Sequence, residues 1–400
     1  MIGWIMLSSE AVASAETALK SEETGVRDEV GFLNLHQAFA DRFFPGTSVL
    51  HTRLRYALFV PWLMAHAEGD AAQLRKHELT LTWQLNNGRD KGNGVIGGTI
   101  LPRAPSQPAS MSYWTALARW KILQPRPDGV NSSRGEILKR IAATHRHTLG
   151  RPLTDDGESV VDEDLSPFVK LPDPPTAFLK IAEPMNFVVT PQESKFLRRQ
   201  LISVGRGPNF HTTQSLLARI ADVGLPDRPV VTPWSKAIRS IADADDQRAL
   251  RVARQSAALA GIGRAVYAGL VEAAKTIDGA EPTTRHRDDV RKLVAEHAED
   301  AKALDLSELR GFVPDLPVYL ANVLLQTQKW LSSGAQNISP LHDVYEEAEV
   351  GRKGSRARLA NTLGGKRRRA EWSAEDHPLA EPLHFRWGNV RRLLTDLKTT

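Results

Sequence analysis

The sequence contains no cysteine. Disulfide bonds, thiolate catalysis and cysteine-ligated zinc or iron–sulfur centres are therefore excluded. No run approaches the ~18 apolar residues that a membrane-spanning helix needs. The opening segment MIGWIMLSSE is short, contains a glutamate and follows no positive cluster, which is not typical of a secretory signal. We therefore expect a cytoplasmic protein that is not bound to a membrane.

Several common catalytic motifs are also missing. There is no G-x-S-x-G nucleophile elbow, no Walker A lysine and no kinase motif set. The 12 histidines form no H-E-x-x-H and no cluster with carboxylates at ligand spacing. The segment GNGVIG at 92–97 matches G-x-G-x-x-G, but no apolar strand precedes it and Pro102 and Pro105 interrupt the helix that should follow. We interpret it as a glycine loop, and we expect no metal and no cofactor.

Charge is distributed unevenly along the 400 residues, which carry a formal charge of +5. Residues 151–173 hold seven acidic and two basic side chains and precede Pro174 and Pro175, whereas residues 351–372 hold eight basic side chains and one acid. The length favours two or three domains. We predict an N-terminal domain over 1–150, an acidic linker over 151–175, a helical domain over 176–350, and a basic DNA-contacting segment over 351–400.

Apolar periodicity predicts a mainly α fold with a minor β component, in the α+β class. The N-terminal domain contains short helices that suit a winged-helix-like or a helix-turn-helix-like unit, and the second domain is helical throughout. The few short strands predicted are 78–84, 187–190 and 229–232. Helices are predicted over 11–20, 34–43, 52–66, 112–120, 134–147, 190–204, 212–223, 243–277, 285–303 and 316–332. Within 243–277, LAGIGRA (259–265) fits either a continuous helix, which we favour, or the Gly-x-Gly hairpin with which some glycosylases grip a DNA phosphate.

The densest group of candidate functional residues lies in 37–62, QAFADRFFPGTSVLHTRLRYALFVPW. Hydroxyl groups, guanidinium groups and backbone N–H groups at a helix start are suited to hold phosphate. The residues that supply them here are Thr52, Arg53, Arg55 and Tyr56. Asp41 is the nearest carboxylate able to polarise a water molecule. The alternative is that Asp41 forms a salt bridge with an arginine while the neighbouring aromatic residues fill the core.

The basic segment near the C-terminus is the second candidate for DNA contact. Its cations could bind phosphates and would give a salt-dependent affinity. The nearby Trp372, Phe385 and Trp387 could stack on unpaired bases. The alternative is a solvated basic helix. The cations concerned are Arg352, Lys353, Arg356, Arg358 and Lys366–Arg369.

The same segments carry a resemblance to a known family. GWI, FADRFFPGTSVLHTRLRYALFVPW, GVIGG, SYWTALARW, RARLANTLGGKRRRAEW and PLHFRWGNVRRLLTDL occur in order over nearly the whole chain. Together they resemble an uncharacterised bacterial family found in phage-defence neighbourhoods, and within it the bacteriophage replication inhibition DNA glycosylases. The resemblance implies antiviral defence by excision of α-glucosylated hydroxymethylcytosine from double-stranded phage DNA, which leaves abasic sites. It supplies no catalytic motif to carry over.

If the resemblance holds, the modified base is flipped into a pocket and the glycosidic bond is hydrolysed with help from a carboxylate. We assign that role to Asp41, phosphate or base binding to the helix start near residue 53, and the pocket wall to Tyr113 and Trp114. The chain departs from standard glycosylases because it lacks the uracil-glycosylase water-activating motif. It also has no clearly placed aspartate or lysine after LAGIGRA. The main alternative is a non-catalytic DNA-recognition subunit of a defence or restriction system, and a nuclease ranks below both.

Overall fold

The computed structural model describes residues 29–88, 93–126, 128–149, 166–207, 213–226 and 230–398. Over these ranges the chain is mainly α, as predicted. The predicted N-terminal helix at 11–20 and most of the acidic linker lie outside the described residues. The helices are α1 Leu33–Phe43, α2 Tyr56–His66, α3 Ala71–Asn86, α4 Ala109–Ser112, α5 Trp114–Arg119, α6 Arg134–Leu149, α7 Pro191–Ile202, α8 Leu216–Val223, α9 Lys236–Arg239, α10 Ala244–Ile277, α11 Arg285–Lys302, α12 Leu306–Phe312, α13 Val318–Ser332, α14 His342–Lys353, α15 Leu363–Ala370 and α16 Trp387–Asp396.

The predicted β component is absent from the described ranges, where only two isolated β-bridges occur, at Leu123–Phe168 and Gly205–Gln214. The predicted strand at 78–84 is wrong, because these residues lie inside α3. The other two predicted strands are also wrong. Residues 187–190 are irregular up to the N-cap of α7, and residues 230–232 form no strand. The helix predicted over 112–120 corresponds to the short α5, and a separate helix of four residues, α4, ends at Ser112 just before it.

The chain divides into two compact units, and within the described part of the chain each unit draws on two regions that are far apart in the sequence. Of the described residues, the first unit contains 41–226 and 386–398, and the second contains 29–40 and 230–385. The predicted domains follow charge along the chain, with boundaries at 150, 175 and 350. The two units are instead defined by contacts within the fold, and in the described part of the chain the boundaries between them lie near residues 40, 229 and 385.

The first unit is built around α2, whose residues from Tyr56 to Met64 are all buried. A helix that is apolar on every side must be enclosed by other elements. Phe59 packs against Phe187 and Phe178. Helix α3 begins at Asp70, whose carboxylate accepts the backbone N–H groups of Ala72 and Gln73 as an N-cap. The enclosed α2 therefore gives α3 a fixed surface on which to pack.

The second unit is built around the 34-residue helix α10. The LAGIGRA segment continues this helix, so the favoured helical interpretation is confirmed and the hairpin alternative is wrong. Its glycines permit close packing: a Cβ on Gly263 would lie 2.5 Å from Cζ of Phe32, and one on Gly261 would lie 3.0 Å from the backbone nitrogen of Pro382. The expectation that no run is long and apolar enough to cross a membrane is wrong, because α10 is so by length and composition. However, 83% of its most apolar 18-residue window is buried inside the protein.

Candidate active site

The first unit contains a cavity of about 520 Å³. One wall is a face of α3, and the others come from α2, from the start of α6, from the loop that follows residue 96 and from α4. Ligand sites commonly have volumes of roughly 300–1,000 Å³. The cavity is therefore large enough to hold a small molecule or an extruded nucleotide.

Glu78 is the carboxylic acid among the residues that line this cavity. It lies on α3 one turn from Leu74 and Leu81, so the helical spacing that buries the leucines also buries the glutamate. Only 8% of Glu78 is exposed. Its Oε1 accepts the backbone N–H of Ser110 at 3.0 Å. Burial raises the pKa of the Glu78 carboxyl, and hydrogen bonds from Ser110 and the nearby Arg134 and Arg75 offset only part of that rise.

A raised pKa is what a carboxyl group needs to donate or accept a proton near neutral pH. Buried carboxyl groups that lack a paired cation are uncommon outside functional sites. Glu78 therefore combines burial, a tuned pKa and access to a cavity, which together define a candidate acid–base residue.

Two arginines line the cavity, and they differ from those of the predicted phosphate site. Arg134, the first residue of α6, donates from Nη1 to the Ser110 hydroxyl at 3.1 Å. Arg75 is exposed and donates from Nε to the Ala71 carbonyl in its own helix. Among the described residues, neither arginine forms a salt bridge with a carboxylate. Both guanidinium groups therefore remain available to an anionic ligand.

Tyr56 also lines the cavity, and it is the one predicted site residue that does so. Its hydroxyl oxygen accepts the backbone N–H of Ile96 at 2.9 Å. Burial raises the pKa of the Tyr56 phenol far above its usual value, so the group is neutral at physiological pH. Tyr56 therefore fixes the loop at Ile96, which forms part of the cavity wall.

Asp41 lies in the last turn of α1 and is not part of the cavity. Its Oδ1 accepts a hydrogen bond from Nη1 of Arg386 at 2.6 Å, and 59% of the Asp41 side chain is exposed. The adjacent Phe43 and Phe44 are fully buried. These contacts match the alternative interpretation of this segment, in which Asp41 forms a salt bridge beside an aromatic core.

The predicted phosphate ligands of the helix start form contacts within the protein. Arg53 forms a salt bridge with Asp396, with nitrogen–oxygen distances of 3.1 Å. Arg55 is buried and forms a salt bridge with Glu193 at 2.8 Å. The Thr52 hydroxyl donates to the Gly94 carbonyl at 2.6 Å. These side chains hold the unit together, and in this conformation they do not present a phosphate site.

Tyr113 and Trp114 do not line the cavity. The Tyr113 hydroxyl is buried, donates to the Arg53 carbonyl at 2.7 Å and accepts the backbone N–H groups of Thr52 and Arg53. Its ring stacks on His51 at a centroid distance of 4.3 Å. Trp114 is half-buried. Tyr113 therefore fixes the backbone before α2 rather than contacting a ligand.

The basic segment of the second unit is largely neutralised by carboxylates. Lys353 pairs with Glu29 and Glu349, and Arg358 pairs with Glu29. The Arg352 guanidinium donates to the Tyr319 hydroxyl at 2.9 Å. Further along the segment, Arg369 is buried against Asp278, and Arg367 and Arg368 pair with Glu371. Arg356 is exposed and forms no ion pair among the described residues, so less charge is available for phosphate than the sequence count indicates.

The aromatic residues of this region do not offer stacking surfaces. Trp372, Phe385 and Trp387 are 4%, 0% and 2% exposed. The prediction that they stack on unpaired bases is wrong for this conformation. Their rings fill the cores of their units: Trp387 packs on Phe44, and Trp372 on His286.

The prediction that no histidine clusters with carboxylates at ligand spacing is wrong for one group of side chains on α14, whose ligand atoms are close enough to hold a metal ion. His342, Asp343 and Glu346 lie on α14 with those atoms within 4.8 Å of one another. Asp343 is fully exposed and the other two are half-buried. Exposed carboxylates at helical spacing occur without a metal, so this group supports no metal assignment.

The structure brings together at the cavity four residues that were not predicted from the sequence, namely Glu78, Ser110, Arg75 and Arg134. One feature of the sequence could have identified Glu78. Positions 74, 78, 81 and 85 form a helical stripe that is apolar except for this glutamate. A lone carboxylate on an otherwise apolar face is a candidate functional residue.

Residues 1–309 match a protein family of unknown function, DUF6361, and the chain belongs to this family. The matched part includes the whole cavity lining. Comparison with curated proteins and with solved structures gave no match.

Proposed function

We propose that this protein is an antiviral DNA glycosylase that excises a glucosylated hydroxymethylcytosine from phage DNA, with Glu78 as the acid–base residue. The observation that carries the proposal is a buried carboxyl group of raised pKa in a cavity that is also lined by two arginines without carboxylate partners. The resemblance of the sequence to the replication inhibition glycosylases supplies the substrate class. The protein acts in the cytoplasm, where phage DNA is replicated.

The chemistry of base release fits a carboxyl group of this kind. Cleavage of the glycosidic bond passes through an oxocarbenium-like state, and it needs a proton for the departing base or a base for the attacking water. A protonated Glu78 serves the first need, and its carboxylate serves the second. Burial raises the pKa of the Glu78 carboxyl and so favours its protonated form relative to an exposed glutamate.

The cavity also fits an extruded nucleotide. An enzyme that acts on a base within a duplex must flip it out of the stack at a cost of a few kcal/mol. Arg75, which is exposed and forms no salt bridge among the described residues, can hold the phosphate that follows the base into the cavity. Polar groups at the wall, including the exposed hydroxyl of Ser106, can bond to sugar hydroxyls. Plain cytosine would leave those groups unpaired, which gives selectivity.

The experiment is alkali-induced strand breakage of DNA that contains α-glucosylated hydroxymethylcytosine at one position. The wild-type protein should produce breaks at that position, and DNA with plain cytosine should remain intact. Glu78→Gln keeps the acceptor for the Ser110 N–H but cannot transfer a proton, so the rate should fall by about 10²–10⁴-fold. Intact modified strands with folded wild-type protein would exclude the enzymatic function.

Asp41→Asn is the matched control, since it also replaces one carboxylate by its amide. We expect it to keep nearly full activity because Asp41 forms an exposed salt bridge with Arg386. The opposite pattern, in which Asp41→Asn is inactive and Glu78→Gln is active, would restore Asp41 as the catalytic carboxylate and remove Glu78 from that role.

A non-catalytic DNA-recognition subunit is the second candidate. The guanidinium groups of Arg75 and Arg134 support this function as well as they support the glycosylase function, because they can bind an anion without catalysing a reaction. A winged-helix-like arrangement in the first 150 residues stays a prediction that would suit this function. Selective binding of modified DNA without base release would identify the protein as such a subunit.

A further inference from the structure

We propose that Arg134 is a positioning residue that acts through Ser110 to fix the carboxyl group of Glu78. The catalytic consequence of this inference rests on the proposed function, whereas the positioning itself does not. Arg134 lies 56 positions from Glu78 and belongs to another helix.

The geometry is a chain of two hydrogen bonds. The Arg134 Nη1 donates to the Ser110 hydroxyl oxygen at 3.1 Å. The Ser110 backbone N–H donates to Glu78 Oε1 at 3.0 Å. Ser110 is fully buried and lies in α4, a helix of only four residues. So short a helix has little stability of its own, and the arginine at the start of α6 therefore holds in place the donor that orients the carboxyl group.

Three other side chains from the surrounding elements act on Glu78. Arg75 lies one turn earlier on α3, Tyr56 faces it from α2, and Ser110 faces it from α4. Tyr56 is neutral, so Arg134 and Arg75 are the cations that favour the ionised carboxylate. Of these two arginines, only Arg134 also donates a hydrogen bond to Ser110 of α4, which orients the Glu78 carboxyl group.

Loss of Arg134 should therefore have two effects. Removing its positive charge disfavours the carboxylate and raises the pKa of Glu78 further. Releasing Ser110 lets the carboxyl group leave its productive orientation, and a displacement of about 1 Å can lower a rate by ~100-fold. A residue that only bound substrate would change KM and would leave the titration of Glu78 in the free protein unchanged.

The first experiment measures the titration of Glu78 directly and requires no activity. The infrared band of the protonated carboxyl group is isolated by subtracting the spectrum of Glu78→Gln, and its midpoint is followed with pH. We expect the midpoint to move upward in Arg134→Gln and to return towards the wild-type value in Arg134→Lys. Arg140→Gln is the control: it removes an arginine from the same helix that does not line the cavity, and its midpoint should match wild type.

The second experiment measures base release. In Arg134→Gln we expect kcat to fall by about 10–100-fold with a smaller change in KM, and the pH profile to move in the same direction as the infrared midpoint. Ser110→Ala keeps the backbone donor but removes the hydroxyl, which Arg134 holds and which also hydrogen-bonds Glu78, so kcat should fall there as well. It also provides a test if Arg134→Gln does not fold.

The outcomes separate the two proposals. An unchanged midpoint in folded Arg134→Gln would overturn the positioning role, whether or not the protein releases bases. If that variant does not fold, full activity in Ser110→Ala would overturn the role. If the infrared midpoint of Glu78 shifts in Arg134→Gln while the wild-type protein releases no base, the positioning role is supported. In that case only the glycosylase function is rejected.

Discussion

His51 makes the stability of the first unit depend on pH. The imidazole is fully buried. Its Nδ1 accepts the backbone N–H of Ser48 at 3.1 Å, and Nε2 lies 2.9 Å from the Ser112 carbonyl. This pattern fits the neutral ring with its proton on Nε2. Burial, together with the positive charge of Arg386, lowers the pKa of His51 from 6.5 to about 4, although the hydrogen bond to Ser112 opposes this.

The magnitude follows from the difference between the two pKa values. Between pH 6.5 and about 4 the unfolded chain binds a proton at His51 that the folded protein does not, so the free energy of unfolding falls as the pH is lowered. Each pKa unit corresponds to about 1.4 kcal/mol, which gives a loss of about 3 kcal/mol across this range. Glu78 acts in the opposite direction, because its raised pKa lets the folded protein bind a proton at higher pH than the unfolded chain.

The assay is urea unfolding followed by tryptophan fluorescence at a series of pH values between 7 and 4. In His51→Gln, which cannot be protonated, the free energy of unfolding should fall by about 3 kcal/mol less over this range than in wild type. His145→Gln is the control: His145 is partly exposed in the same unit, and the wild-type pH dependence should remain. If His51→Gln and wild type have the same pH dependence, the buried neutral histidine is not the cause and the reasoning fails.

Two further predictions concern packing and charge. Gly263→Ala should lower the stability of the second unit by up to about 2 kcal/mol, since overpacking costs about 1–3 kcal/mol and the gain in helix propensity returns about 1 kcal/mol. Gly351→Ala is the control and should be neutral or stabilising, because a Cβ added at Gly351 meets open space. Equal thermal midpoints for the two variants would contradict the packing argument. Arg55→Met leaves the buried Glu193 charge without its partner and should lower the free energy of unfolding by about 3–5 kcal/mol. Urea titration tests this prediction, and the double variant with Glu193→Gln should recover part of the loss, whereas no recovery would show that the ion pair is not the cause.

Helices were the most predictable part of the fold, because periodicity extends over many residues. The Ala-rich stretch keeps its helical phase through Gly261 and Gly263, and α10 is continuous there. The seven residues of 78–84 are too few to distinguish the two periods, since Leu79, Leu81 and Trp83 alternate while Leu81 also belongs to the helical stripe of α3. That short window is why Glu78 was placed on a strand and missed as a cavity residue.

Candidate sites were less predictable because they depend on partners far away in the sequence. Asp41 has the residue type and the neighbours of a catalytic carboxylate, and only the position of Arg386 identifies it as part of an ion pair. A count of charges along residues 351–372 finds almost no carboxylate that could pair with the basic side chains. Its carboxylate partners include Glu29 and Asp278, and no local count of charge includes them.

The composition of the first unit sets the order in which the protein can fold during synthesis. Asp396 accepts hydrogen bonds from the Arg53 side chain and from the Leu54 backbone N–H, and the Leu397 carbonyl accepts the Ser194 hydroxyl. A ribosome must therefore translate the 156 residues of 230–385 before the first unit receives its last helix. At about 5–20 residues per second this takes roughly 8–30 s. Throughout that interval the Arg53 guanidinium in the nascent first unit lacks its Asp396 partner. The second unit is therefore fully synthesised before the first unit is.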